Sequence, residues 1–364
     1  MPCARRSSTV WHDRRAATGV SVGPLSLTLL IPGLFGPLPG MGQPGFPEPH
    51  WPALTKLLAR TQRNHEAGDA DALRYRLFGY ALSETHDHPD AWLSYQIDTG
   101  TVAPGPLLRA DPVHLRADQQ HLMLFDAAHL HITSEEAQAL VAAFNQLYAA
   151  DGLRLEMPTP LRWYLHLPRQ PELRTSPLAR AVGHDIDPCL PTGHDAREWR
   201  RLINEVQMLF HDHPVNRARE ARGQPLINSV WLWGGGRPLT AVSHDWQGIW
   251  TSESTLQGLA HLNGIRCSTP PTDATTFLHE ALGDRHLLCL DMLQHAVAYA
   301  DVETWQTQVE QFDRDWCAPL LTALREGHLR ELRLYPANGY VYRVTRWDLW
   351  RFWRRHRPLM RITG

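Results

Sequence analysis

Lysine is almost missing from this chain. Of 36 basic side chains in 364 residues, one is a lysine, Lys56, and the rest are arginines. Those 36 face 38 acidic residues, a net charge of -2, so no whole-chain nucleic-acid footprint exists and no nucleic-acid partner is expected. Cysteine is sparse too. Cys3, Cys189, Cys267, Cys289 and Cys317 contain no C-x-x-C pair, which argues against a zinc ribbon or a disulfide scaffold and suits a reducing compartment. No apolar run approaches the roughly 20 residues a bilayer-spanning helix needs, so no transmembrane segment is expected. Leu25–Leu38, preceded by Arg5, Arg6, Arg14 and Arg15, has the outline of a leader core. Pro32 and Pro37 interrupt it and no small-residue cleavage site follows, so the chain reads as cytoplasmic, with residues 1–22 as a disordered tail. Gly234-Gly-Gly236 lacks the lysine and hydroxyl of a phosphate-binding loop and reads instead as a strand end where another backbone comes close.

What is present is globular: 43% hydrophobic and 20% charged residues. Ser26–Ile31 has the short apolar run of a central parallel strand. Pro32–Pro49 follows, with five glycines and six prolines, an irregular loop where a ligand could sit. Helical spacing covers Ala53–Arg60 and Asp71–Tyr80. Ala110–Phe125 reads as strands around a polar turn. Thr133 and Glu136 form a capping-box pattern ahead of a helix reaching Ala150. Leu153–Glu156 and Arg162–Leu167 are further strands. An α/β rhythm then returns: helices at Glu198–His211, Thr255–Asn263 and Trp305–Glu326, strands at Leu226–Trp233, Leu287–Asp291 and Glu331–Tyr335. This alternation predicts an α/β fold, a three-layer core with a mostly parallel sheet, interrupted by a smaller α+β insertion. The expected division is a discontinuous core of residues 23–102 and 171–339, an insertion at 103–170, and an aromatic, arginine-rich tail at 340–364.

One stretch is more specific. His213-Pro-Val-Asn216, then Arg219, then Asn228-Ser-Val-Trp-Leu-Trp-Gly-Gly-Gly-Arg-Pro238 resembles a run in the archaeal-type, cofactor-independent phosphoglycerate mutases. Gly183-His-Asp-Ile186, Arg109-Ala-Asp111, Thr133–Ala137 and the Gly248–Ile265 segment are similar to further parts of that family, in the same order. The resemblance spans most of residues 25–325 and implies an alkaline-phosphatase-like core carrying an inserted domain. The Trp-Leu-Trp-Gly-Gly-Gly form is nearest to the bacterial RpfE-type regulatory proteins.

Active members of that family bind two divalent metals through aspartates and histidines, and a serine or threonine hydroxyl takes the phosphoryl group. Here the resemblance fails. The Asp-Gly pair after the first strand is Pro32-Gly33. Counting back from Gly79-Tyr80 puts Ala70 at the nucleophile, with Asp71 beside it. The Asp-x-x-x-His cluster falls on Gln294 and Ala298 by gapless counting, with His295 and Asp301 as nearby substitutes. The final Asp-His pair meets Pro336–Gly339. No catalytic residue, no metal and no cofactor are therefore expected, and the protein reads as a catalytically inactive, regulatory relative. The alternative is a divergent metal-dependent mutase or phosphohydrolase that holds manganese or zinc on Asp71, His295 and Asp301. Among histidine pairs, only His129/His131 could share a strand face.

The non-metal side survives. Arg109, Arg162, His184, Asp185, Asn216, Arg219 and Arg237 could form a cationic, hydrogen-bonding surface for a small anionic ligand. Trp347, Trp350 and Trp353, three apart, put an aromatic stripe on a helix that serves a protein partner or docks on its own core.

Overall fold

The computed structural model describes residues 23–36, 51–66, 70–81, 86–118 and 121–350. The tail at 1–22, most of the Gly/Pro loop, Trp353 and the last arginines lie outside the described residues. By contact the chain divides into two compact units. One joins residues up to Arg74 with those from Ser243 onward, and the other is Tyr75–Val242. Strands are numbered along the chain.

The first unit holds a seven-stranded sheet of β1 (Leu25–Leu30), β2 (Gln62–His65), β8 (Gly248–Trp250), β9 (Cys267–Ser268), β10 (Arg285–Cys289), β11 (Leu329–Tyr335) and β12 (Tyr340–Thr345), in the order β2-β12-β11-β1-β10-β8-β9. From β11 to β9 every neighbour is parallel, while β12 and β2 add antiparallel strands at one side. The sheet is mostly parallel, as the alternating elements predict. Leu27, Leu29, Leu288, Leu332, Leu334, Tyr342 and Val344 project from one face into a hydrophobic cluster with Leu54, Trp305, Phe312 and Leu320 from helices. Residues 340–345, expected in the tail, are a sheet strand: Tyr342 and Val344, two apart, face the core, and Arg343 and Thr345 alternate with them on the other face. The tryptophan stripe is likewise corrected. Trp347–Trp350 is a single 3-10 turn, and Trp347 and Trp350 remain 78% and 67% exposed instead of docking on the core.

The helix expected over Trp305–Glu326 is three segments: α at Val302–Phe312, a π turn at Asp313–Cys317, and α at Ala318–Glu326. Pro319 has no N–H to continue the ladder, which accounts for the break. The turn buries Asp313, whose carboxylate accepts from the Leu54 N–H at 2.5 Å and the Ala53 N–H at 3.4 Å, capping the helix Pro52–Arg60. On that helix sits Lys56, whose ammonium is held below its ordinary pKa by Arg325, by burial and by Arg60.

The second unit holds an antiparallel sheet of β3 (Leu107–Asp118), β4 (His121–Phe125), β5 (Arg154–Thr159), β6 (Arg162–His166) and β7 (Ser229–Trp233). β3 is the hub, pairing with β4 along its second half and with β6 and β7 along its first. β7, whose apolar run suggested the parallel core, belongs here: it pairs with β3, all five of its residues are buried, and Val230 and Leu232 pack in one cluster with the helix Ala196–His211. The unit is therefore broader than residues 103–170. The capping box on Ser134–Tyr148 is formed, with Thr133 Oγ1 accepting from Glu136 N–H and Glu136 from Thr133 N–H, both at 3.2 Å. His129 and His131 fall on a short helix, Ala127–Leu130, and its left-handed end, so they share no strand face.

Gly234–Gly236 ends β7 against the chain at Asp87–Asp90. A Cβ on Gly236 would lie 2.3 Å from the Asp87 carbonyl oxygen, so close backbone approach explains that glycine. Asp87 accepts from Thr175 N–H at 2.6 Å, Thr175 Oγ1 at 2.5 Å and Gly235 N–H at 3.3 Å. Burial nevertheless outweighs these donors and raises its pKa to about 6.

Two outcomes follow from this packing. Asp313→Ala leaves two buried helix N–H groups without their acceptor and should cost about 1–3 kcal/mol in a urea titration. The unfolded chain holds fewer protons on Asp87 than the fold between pH 4 and pH 6. Its contribution is therefore greatest below pH 4 and declines by on the order of 2–3 kcal/mol as pH rises to about 6. Urea titrations across that range should show this slope in the wild type and lose it in Asp87→Asn.

Candidate functional site

In an open parallel sheet the ligand crevice lies beyond the carboxyl ends of the strands. β1 lies between β11 and β10 and runs into the turn Pro32–Phe35. Pro32 brings no ligand atom to this edge. Gly33, at φ +85°, has its carbonyl fixed by Trp305 Nε1 at 2.9 Å, and a Cβ there would stand 3.1 Å from Val297. The turn is packed against apolar neighbours. At the end of β11, Pro336–Gly339 forms the link to β12, with Ala337 and Gly339 at positive φ and no acid or histidine present.

The end of β10 is richer. Asp291 is exposed and accepts from Ser252 Oγ at 2.8 Å. Glu253 caps the helix Ser254–Leu262 and meets Arg74 at 3.5 Å. Cys289 is fully buried between them, and burial, with Glu253 and Asp291 nearby, pushes its thiol well above the ordinary range, so it is no nucleophile. Because β10 stops at Cys289, the Asp-x-x-x-His spacing occurs at Asp291 and His295, three residues before the positions reached by counting. Sequence reasoning passed over Asp291 because it placed that residue inside the strand.

The other metal candidates are differently placed. Ala70 opens the helix Ala70–Leu77 and Asp71 lies in its first turn. His295 packs its ring on Tyr299 at 4.8 Å. Asp301 caps Val302–Phe312 through Thr304 N–H at 3.0 Å, and that bond holds its carboxyl below the usual range. Among the described residues of this unit taken by itself, no three His, Cys, Asp or Glu ligand atoms lie within 4.8 Å of one another, so Asp71, His295 and Asp301 do not converge.

In the second unit the expected ligand residues are spent on the protein itself. Arg109 and Asp111, two apart on β3, project on the same side. Arg109 donates to Asp111 from Nε at 3.1 Å and Nη2 at 2.6 Å, and to Ser94 Oγ at 3.3 Å. Trp233 Nε1 donates to the other Asp111 oxygen at 2.7 Å. Burial opposes the Arg109 charge, but the Asp111 carboxylate more than restores it, and the guanidinium is held above its ordinary pKa. Next to this pair, Asp98 takes a bidentate bond from Arg162 (2.8 and 2.5 Å) and one from the Tyr164 hydroxyl (2.6 Å). Arg109 and Arg162 are thus brought into one network. Asp98 is the acid sequence reasoning missed, 64 residues from its arginine with no local signal.

Asn216 and Arg219 share the helix Pro214–Ala221 and are both 1% exposed. Asn216 bonds Phe210 O, Ile227 O and Ile227 N–H, and Arg219 donates to Glu136, Pro225 O and Leu130 O. Both are ties within the scaffold. Asp185 accepts from Leu122 N–H and meets His121 Nδ1 at 3.0 Å, the contact that chiefly holds its carboxyl low. His184 is exposed and its Nδ1 bonds Val182 O at 2.7 Å, while Arg237 is exposed after the glycines. No hydrogen bond or ion pair joins these groups to the Arg109 network among the described residues.

Residues 103–216 match the family model described as 2,3-bisphosphoglycerate-independent phosphoglycerate mutase, and this segment lies wholly within the second unit. The Methanosarcina mazei protein of that name is 26% identical over 184 residues, covering 49% of this chain and 45% of that one. The Methanothrix thermoacetophila protein is 27% identical over 224 residues, 57% of each chain. A probable mutase of Geobacter sulfurreducens is 26% identical over 210 residues, 55% of this chain and 52% of that one. The chain spans about half the length of these curated relatives. Among solved structures, a cofactor-independent phosphoglycerate mutase from Thermoplasma acidophilum is similar at TM-score 0.45 and 15% identity, covering 93% of this chain and 95% of that chain. The PH0037 protein from Pyrococcus horikoshii is similar at TM-score 0.49 and 15% identity, covering 89% and 88%. The family-model match and the named relatives support kinship of this chain with the 2,3-bisphosphoglycerate-independent phosphoglycerate mutases.

Proposed function

We propose that this chain is a catalytically inactive relative of the phosphoglycerate mutases, of the RpfE-type branch within the alkaline-phosphatase superfamily. In this reading it works in the cytoplasm as a regulatory protein, by binding an anionic ligand or a protein partner. The observation that carries the reading is Pro32 at the carboxyl end of central β1, where the resemblance calls for a metal-binding aspartate. Alanine at the nucleophile position supports it. The manganese or zinc centre implied by the family does not fit the residues present: Pro32 and Pro336–Gly339 offer no carboxylate or imidazole, and Asp301 is occupied as a helix cap. An anionic ligand in the second unit would meet His184 or Arg237, since Arg109, Asn216 and Arg219 have their donors satisfied inside and Arg162 is held bidentate by Asp98. A protein partner would meet the exposed Trp347 and Trp350. The inserted domain is the part of the fold that carries the family signature in this reading.

The spacing of Asp291 and His295 favours a second reading, a divergent metal-dependent mutase or phosphohydrolase, although Asp71 and Asp301, expected to complete that centre, do not converge with His295. The two are separated by one assay. Purified protein given phosphoglycerate with manganese or zinc should show no mutase or phosphatase turnover in a coupled assay. Robust metal-dependent turnover, abolished by Asp71→Ala, would establish the second reading and remove the first.

A further inference from the structure

Away from the carboxyl ends of the strands, the parallel sheet carries a feature that neither reading uses. On β1, β11 and β12 the residues alternating with the core positions are Ser26, Thr28, Glu331, Arg333, Arg343 and Thr345. Arg333 and Arg343 stand directly opposite each other across the antiparallel pair, an arrangement that is unfavourable for like charges unless something intervenes. Glu331 intervenes: it accepts from Arg333 Nε at 2.5 Å and Arg343 Nε at 2.7 Å, and can offset only one of the two charges. Both guanidiniums remain partly open, at 43% and 38% exposure.

These residues line a groove of about 480 Å³ at the amino-terminal ends of β1 and β11. Three more arginines border it. Arg330 stands where the β1–β11 register shifts, and its guanidinium is turned back onto Ser26 Oγ at 3.0 and 3.2 Å. Arg285 pairs with the exposed Asp245 at 2.8 Å. Arg346 reaches across Gly327, where a Cβ would lie 3.2 Å from its Nη1. Among the described residues, Arg330 and Arg346 have no carboxylate within ion-pair distance. Asp348, next to the lining Trp347, is 3% exposed and accepts from Thr345 and Gln62. Five arginines and one carboxylate, Glu331, line the groove, and with guanidinium donors left over they make a concave surface that complements a doubly charged oxyanion.

The groove exceeds what inorganic phosphate alone requires and falls in the roughly 300–1,000 Å³ range of small-molecule sites. Its remaining wall includes Trp347, whose indole is 78% exposed and free to stack on a planar ring. We propose that this groove binds a phosphorylated small molecule of mononucleotide size, with its phosphate on Arg330, Arg333, Arg343 and Arg346 and its ring on Trp347. The site does not rest on the mutase-like reading, and its test involves no turnover.

The experiment is calorimetric titration of the full chain, at low salt, with AMP, ribose 5-phosphate and inorganic phosphate. AMP should bind most tightly and phosphate least. The double substitution Arg330→Ala/Arg346→Ala removes two exposed side chains, so thermal melting should confirm an intact fold while affinity for AMP and ribose 5-phosphate drops by roughly tenfold or more. Trp347→Ala should erase the advantage of AMP over ribose 5-phosphate and leave the latter unchanged. Absence of AMP binding at millimolar concentration, or AMP affinity unaltered in the double variant, would overturn the site. Equal affinity of wild type for AMP and ribose 5-phosphate would overturn the stacking on Trp347 and with it the nucleotide-sized ligand.

Discussion

Burying one ion pair organises much of the second unit. Arg109 and Asp111 sit two residues apart on β3 with 6% and 1% of their surfaces exposed, and a charge so far from water must be matched at nearly every donor and acceptor. Asp111 is completed by the indole of Trp233 on β7, and Arg109 by Ser94 and by the faces of Tyr164 and Trp233, at 5.5 and 5.2 Å from the ring centroids. Tyr164, itself pushed up in pKa chiefly by burial, passes the demand to Asp98, and Asp98 to Arg162. Elements from four parts of the chain are thereby tied together. Removing one member strands a buried charge.

That constraint also explains how the sequence can mislead. Arg109, Arg162, Asn216 and Arg219 stand in a recognisable pattern with polar neighbours, and polar residues in a pattern read as a binding surface. In the fold they are mostly internal struts. The clue was local for Arg109-Ala-Asp111, because alternate residues on a strand share a side. It was absent for Arg162 and Asp98, which meet only because β6 folds onto the helix Asp90–Thr99. The parallel strands β1, β10 and β11 were legible from short apolar runs, and the capping box from two residues. β7 was legible as a strand but not by its sheet, since its five buried residues fit equally between two helices or beside β3. The π turn was signalled only by Pro319, and β12 was hidden by aromatic residues that suggested a helix.

The two units differ in what they preserve. The stretch matched by the family model lies in the second unit, where residues are fixed by packing and buried charge. The carboxyl edge of the parallel sheet lies in the first, and there proline, alanine and asparagine occupy the positions at issue. The family-model match and the carboxyl edge of the parallel sheet thus lie in separate units, so likeness in one carries little information about the other.

Lys56 gives the scarcity of lysine a practical meaning. Arg325 and Arg60 lower the affinity of its amine for a proton, so a larger share of it is the neutral, nucleophilic form at any given pH. Acylating reagents and acyl-transferring enzymes that seek a lysine side chain find a single address on this protein, on the helix capped by Asp313. A label or acetyl group placed there would have one defined position, beside the π turn.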